Sequence, residues 1–192
     1  MPEKRKQKRR ASVAKKPDDS DFGFRRRRTA VRVRRRPGER GWELVHPRCV
    51  QERMEDLEEV QQMLAAGEVE IAVDELRWLL DGCGDFIAAH RLLGELALAD
   101  GDLKLARGHF GYAYEIGLSA LPPRGFEGPL PHRLAANQPL LESAKGLAWC
   151  LHELGKHKLA RRVLAQLLLL DPADPLGVRS WQSSWQGETG PA

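Results

Sequence analysis

A 34-residue period runs through the middle of this chain and limits its folds more than any other feature. Gly67 recurs as Gly101, Ala72 as Ala106, Leu76 as Phe110 and Leu79 as Ala113. The same spacing returns in Gly155, Ala160, Leu164 and Leu167, displaced by 54 residues from the second copy. A fixed period of this length marks stacked supersecondary units, none of which can bury its apolar face alone. The residues in excess of one period fall at about 117–136, where Pro122, Pro123, Gly125, Gly128, Pro129 and Pro131 cluster. A Pro-rich loop is therefore expected between the second and third units.

Each unit reads as helix, tight turn, helix. In the second, Asp85 is expected to cap a helix carrying Leu92, Leu93, Leu96 and Ala97, and Gly101 to end it in a left-handed turn. Asp102 then caps a helix whose Leu103, Ala106, Phe110, Ala113 and Tyr114 share one face at spacings of three and four. The small Gly94 and Ala106 mark where paired helices cross closely. In the third, Asn137 is the expected cap and Pro139 lies in the first turn. Leu147, Ala148 and Leu151, then Leu159, Ala160, Val163, Leu164, Leu167 and Leu168, form the two stripes on either side of Gly155. Asp171-Pro172 ends the pair, because proline cannot continue the helical ladder. The first unit opens with a helix from Pro47 carrying Leu57, Val60, Met63 and Leu64, followed by a second over residues 69–81. Val60 stands where the crossing residue should be small, so looser packing is expected there. The units span about residues 53–82, 85–118 and 138–172. A capping helix with Leu176, Trp181 and Trp185 on one side is expected over 175–185, and a frayed tail over 187–192.

The charge is divided sharply. Residues 1–40 hold seventeen Lys and Arg against five Asp and Glu, a net charge of +12, whereas the remaining 152 carry a net charge of −8. Val13, Phe22, Phe24, Val31 and Val33 are scattered among these charges, so residues 1–45 read as a disordered basic arm that cannot bury enough surface to offset its ordering entropy. Lys4, Arg5, Lys6, Lys8, Arg9, Arg10, Arg25, Arg26, Arg27, Arg28, Arg34, Arg35 and Arg36 are the expected polyanion-binding side chains, acting through counterion release. The bland alternative is a solvated tail, or one that folds back on the acidic body. No apolar stretch of secretory length follows the N-terminus. The longest apolar run, over 163–170, falls far short of the roughly 20 residues a membrane helix needs. Cys49, Cys83 and Cys150 are odd in number and lack a Cys-x-x-Cys pair, which argues against a disulfide framework and for a reducing compartment. The expected location is cytoplasmic, or nuclear in a nucleated cell, with no membrane contact.

Leu93-Gly94, Gly101-Asp102, Ala106, Phe110, Ala113, Leu147-Ala148, Gly155, Ala160 and Asp171-Pro172 together resemble the tetratricopeptide repeat pattern over about residues 53–172. The family's large aromatic early in the first helix is replaced by Asp56, His90 and Ala144. The resemblance implies an all-α stack of helix-turn-helix repeats, an α-solenoid over residues 46–186, with a groove lined by the first helix of each hairpin. Carried onto this chain, the groove residues are Leu57, Gln61, Arg91, Glu95, Leu98, Lys145, Trp149 and His152. The implied function is a non-enzymatic scaffold that holds a partner peptide or helix. Trp149 is the expected anchor, because tryptophan supplies large apolar area with few rotors to freeze; its bland reading is a cap or core residue beneath the insert. The carboxylate clamp by which some members grip chaperone tails is missing, since Leu57, Gln61, Leu92, Glu142 and Gly146 occupy its positions.

No phosphate loop, nucleophile elbow or His-Glu-x-x-His motif occurs. His46-Pro-Arg-Cys49 has only two ligands where structural zinc takes four, so neither metal nor cofactor is expected. His90 and His109 read as packing neighbours, and His152 and His157 as surface residues on different faces. Glu52, Glu55, Asp56, Glu58 and Glu59 read as a solvated helix face. The alternatives to the scaffold are a nucleic-acid- or ribosome-associated protein held mainly by its basic arm, and a chain that self-assembles through Trp181, Trp185 or an uncapped repeat face.

Overall fold

A computed structural model describes residues 28–187, except 37, 39, 40, 124, 125 and 127. The chain is mostly helical. Two strands, β1 (Arg32–Arg35) and β2 (Trp42–Val45), precede a short α1 (Arg48–Gln51). Then come α2 (Met54–Ala65), α3 (Val69–Gly82), α4 (Ile87–Ala99), α5 (Leu103–Ala120), α6 (Gln138–Glu153), α7 (His157–Leu170) and α8 (Val178–Gly187). Consecutive helices pack on one another from α2 to α7, and α4 also packs on α6.

The same chain reversal joins each helical pair. Gly67, Gly101 and Gly155 have φ of 81°, 79° and 72°, a conformation that costs glycine nothing. The amide after each glycine bonds back across the turn: Glu68 to the carbonyl of Met63, Asp102 to Ala97 and Lys156 to Leu151. This satisfies carbonyls that the ended helix leaves free. Beyond each turn Ala72, Ala106 and Ala160 are wholly buried, as are Leu76 and Leu164, with Phe110 nearly so. Asp102 caps α5, accepting from the amides of Lys104 and Leu105 at 3.1 and 2.9 Å. Val60 is fully buried in α2 despite its size.

The two other expected caps are used elsewhere. Asp85 accepts from Ala30 N at 2.7 Å and Thr29 Oγ1 at 3.1 Å, so it fastens the incoming chain rather than α4. Asn137 precedes α6 but makes no cap hydrogen bond to it. Its wholly buried amide accepts from Leu44 N at 2.9 Å and donates to the carbonyls of Trp42 and Pro131 at 3.0 Å each.

Over the described residues from 28 to 45, these bonds correct the expectation of a disordered arm. β1 and β2 pair antiparallel with Val33 opposite Leu44 and Arg34 opposite Glu43. Val31 and Leu44 are 2% exposed and belong to the main core. A two-stranded hairpin is marginal by itself. This one is held because Trp42 N donates to the Pro129 carbonyl at 2.8 Å, the Trp42 ring packs 5.7 Å from that of Phe126, and Arg34 grips Glu43 through two nitrogens. The Pro-rich segment is fastened in turn: Leu130 is wholly buried and donates to the Leu170 carbonyl at 2.6 Å. The expected arm residues Lys4 to Arg27 and the tail from 188 lie outside the described residues.

The cysteine reading is also corrected. Cys49 and Cys83 are joined by a disulfide, which removes the cysteine argument for a reducing compartment. It ties α1 to the end of α3 across 34 residues, and chain-entropy reasoning assigns such a loop about 3–4 kcal/mol. Cys150 is a buried free thiol whose pKa burial pushes up to about 11. The candidate His46–Cys49 ligand pair is dismantled, because His46 Nε2 donates instead to the Ala136 carbonyl at 2.9 Å.

Two outcomes are expected. Asn137→Ala strands three backbone partners and should lower the unfolding free energy by roughly 2–4 kcal/mol in urea titration, as losing a buried hydrogen-bond network does. In a thiol assay the native, unreduced chain at pH 8 should show no fast-reacting thiol, since Cys150 is buried and protonated there. Unfolding should then expose one thiol per chain without reductant and three with it.

Candidate functional site: a groove floored by Phe110

Phe110 projects from α5 between α4 and α6. A Cβ placed on Gly94 would stand 2.7 Å from one edge of its ring, and a Cβ on Gly146 would stand 2.7 Å from the other. Two glycines on neighbouring helices thus make the slot that the ring fills. Above it lies an open cavity of about 500 Å³. Leu98 and Glu95 of α4 form one wall, and Glu142, Lys145 and Trp149 of α6 the other. Leu176 and Trp181 close the side toward α8.

The lining is largely apolar with a charged rim. Arg91 pairs with Glu95 one turn away on α4 and lies 3.3 Å from Glu142 on α6, so a single guanidinium links the two helices. His132 Nε2, from the Pro-rich segment, reaches the other oxygen of Glu142 at 3.0 Å. Glu95 keeps 45% of its side-chain surface open, yet its surroundings raise its carboxyl pKa, mainly through desolvation and in part through Glu142, against the pull of Arg91. Lys145 Nζ donates to the Leu176 carbonyl at 2.9 Å and lies 5.1 Å from the centre of the Trp181 ring. The loop before α8 is held to α6 by that bond.

Of the groove residues expected from the sequence, Glu95, Leu98, Lys145 and Trp149 line this cavity and Arg91 sits at its rim. Trp149 is 38% exposed. Its ring packs against that of Trp181, with centroids 5.5 Å apart. The other three are placed differently. Leu57 is a core residue, 3% exposed. Gln61 is exposed on α2 and is not among the residues that line the cavity. His152 lies flat on Trp185 at 4.0 Å and is taken up by α8. Glu142 and Gly146, named from the sequence only as occupants of clamp positions, also line the cavity, and the residues not expected there are Phe110, Leu176 and Trp181. Phe110 is legible only as a core position. Trp181 was readable as part of an apolar face, but its place in the cavity depends on how α8 folds back.

The histidine expectations divide. His90 and His109 meet as expected, with Nδ1 atoms 3.4 Å apart. His152 and His157 also meet, at 3.1 Å, because the turn at Gly155 brings both helix ends to the same side; this corrects their assignment to different faces. Among the described residues no group of three or more His, Cys, Asp or Glu could hold a metal, and no helix is long and apolar enough to cross a membrane.

No known family model matches the chain, and no curated protein aligns with it significantly.

A Cβ at residue 146 cannot be relieved by moving the Phe110 ring, because Gly94 backs its other edge. Gly146→Ala should therefore destabilise by about 1–3 kcal/mol, the usual cost of overpacking. Gly108→Ala is the control: an added Cβ there meets nothing within 4 Å, and it should stabilise by about 0.5–1 kcal/mol through helix propensity. Thermal unfolding of the two variants reads both signs.

Proposed function

We propose that this chain is a non-enzymatic scaffold of the tetratricopeptide-repeat kind, which holds an extended or helical segment of a partner protein in the groove above Phe110. The observation that carries this reading is the convergence of Glu95, Leu98, Lys145 and Trp149 on one apolar cavity. Trp149 is the anchor. A half-open indole beside a second one offers a partner side chain a large, rigid apolar contact, the usual make-up of a binding hot spot. The three left-handed glycine turns, recurring at equivalent places, support a repeat stack as its frame. A cytoplasmic or nuclear location belongs to this proposal.

A second reading is favoured by one observation. Arg32, Arg34 and Arg35 lie exposed on β1, so the ordered hairpin continues the positive charge of residues 1–27. Attachment to nucleic acid or another polyanion through this region is the alternative. Self-assembly through Trp185 is disfavoured, since that ring is 6% exposed and stacked within its own chain.

Salt separates the two main readings. Partners captured from the native cell that resist high salt and are lost with Trp149→Ala belong to the groove. Those lost at high salt and on removing residues 1–27 belong to the arm. The cut must stop before residue 28, because Val31 is part of the core. If Trp149→Ala leaves every salt-resistant partner in place, the groove reading fails.

A further inference from the structure

The acidity of the body is concentrated in one hairpin. Residues 52–85 hold eleven Asp and Glu against only Arg53 and Arg77, a net charge of −9, while residues 86–192 have a net charge of +1. Both arginines are engaged: Arg77 pairs with Asp74 at 2.9 Å, and the Arg53 guanidinium lies 5.6 Å from the centre of the Trp78 ring. The same hairpin exposes Met54 at 42%, Ile71 at 57% and Trp78 at 54%. Ile71 and Trp78 are seven residues apart on α3 and so share a face. The Arg53–Trp78 contact brings the start of α2, with Met54, to the same end. An exposed apolar face ringed by charge of one sign marks a site of association.

The chain carries the complement of this face. Residues 1–27 hold eleven Lys and Arg against four Asp and Glu, a net charge of +7, and Phe22 and Phe24 directly precede Arg25, Arg26 and Arg27. The described chain also begins beside the hairpin. Ala30 N and Thr29 Oγ1 both donate to Asp85, just beyond the end of α3. Trp78 lies four residues before the end of α3 at Gly82, about 6 Å along the helix axis, and Asp85 follows three residues later. Phe24 lies six residues before Ala30, a span of about 20 Å when extended. A tether this short holds the segment at millimolar effective concentration, well above that of any free partner or second copy.

We infer that the segment Phe22–Arg27 docks in cis on the Met54–Ile71–Trp78 face of the first hairpin. Its aromatic rings lie against Trp78 and Ile71, and its guanidinium groups face the carboxylates of Asp74, Glu75 and Asp81. The first hairpin is then the resting partner of the basic arm, and any polyanion must compete with it for the same arginines. This inference does not depend on the groove.

The test places the photo-crosslinker p-benzoylphenylalanine at residue 24 of the full chain, irradiates it at low salt, and maps the products by mass spectrometry. Crosslinks within one chain into residues 52–85 are expected. Trp78→Ala with Ile71→Ser, both at exposed positions and checked by circular dichroism for an unchanged fold, should reduce them about tenfold. Crosslinks into residues 142–149 would overturn the inference in favour of the groove, and a crosslinked dimer would overturn it in favour of a second copy. A yield no higher than that of the urea-unfolded chain would show that the segment docks nowhere.

Discussion

The Phe110 ring, held edge to edge between Gly94 and Gly146, sets how closely α4 and α6 approach, and that approach defines the groove. Side chains at either glycine would drive the helices apart, because a packed interior has no slack to absorb a methyl group. A second close contact works the same way at the far end of α5, where a Cβ on Gly117 would stand 2.4 Å from Leu140. The floor of the cavity is therefore a core residue of the fold, so groove shape and stability rest on the same few atoms.

Charge is arranged around this frame in three zones. The groove rim is nearly balanced, with Arg91 and Lys145 answering Glu95 and Glu142. The first hairpin is strongly acidic and residues 1–40 strongly basic. An apolar, balanced groove suits a partner held by buried area and little affected by salt. The basic region suits attachments that weaken as salt rises. The acidic hairpin contributes no residue to the cavity lining, so a partner held in the groove and one held by the basic residues would respond differently to salt.

The segments with the weakest local signals hold one another in place. The β-hairpin and the Pro-rich segment each lack an apolar stripe sufficient for independent folding. They meet at Asn137, whose amide satisfies backbone groups of both, and at Trp42, which bonds Pro129 and packs on Phe126. Burying that amide is favourable only because its bonds are made, so the junction forms as a unit or not at all.

Local rules account for what could be read in advance. Glycine turns, the Asp102 cap, the proline in the first turn of α6 and the apolar faces of α3, α5 and α7 depend on residues within a few positions of one another. The pattern alone therefore determined the helical hairpins and their inward faces; Glu95, Leu98, Lys145 and Trp149 came to the groove only through the family resemblance, which also put Leu57, Gln61 and His152 there, outside the cavity lining. Distant partners decided the rest. Asp85 turned from its helix to Ala30, 55 residues away, and Asn137 to Leu44, 93 residues away. Cys49 found Cys83, and α8 brought Trp181 into the cavity. A side chain that can cap its own helix can equally satisfy a remote amide. Only the folded chain fixes which amide is close, because that proximity is set by packing and not by spacing along the sequence.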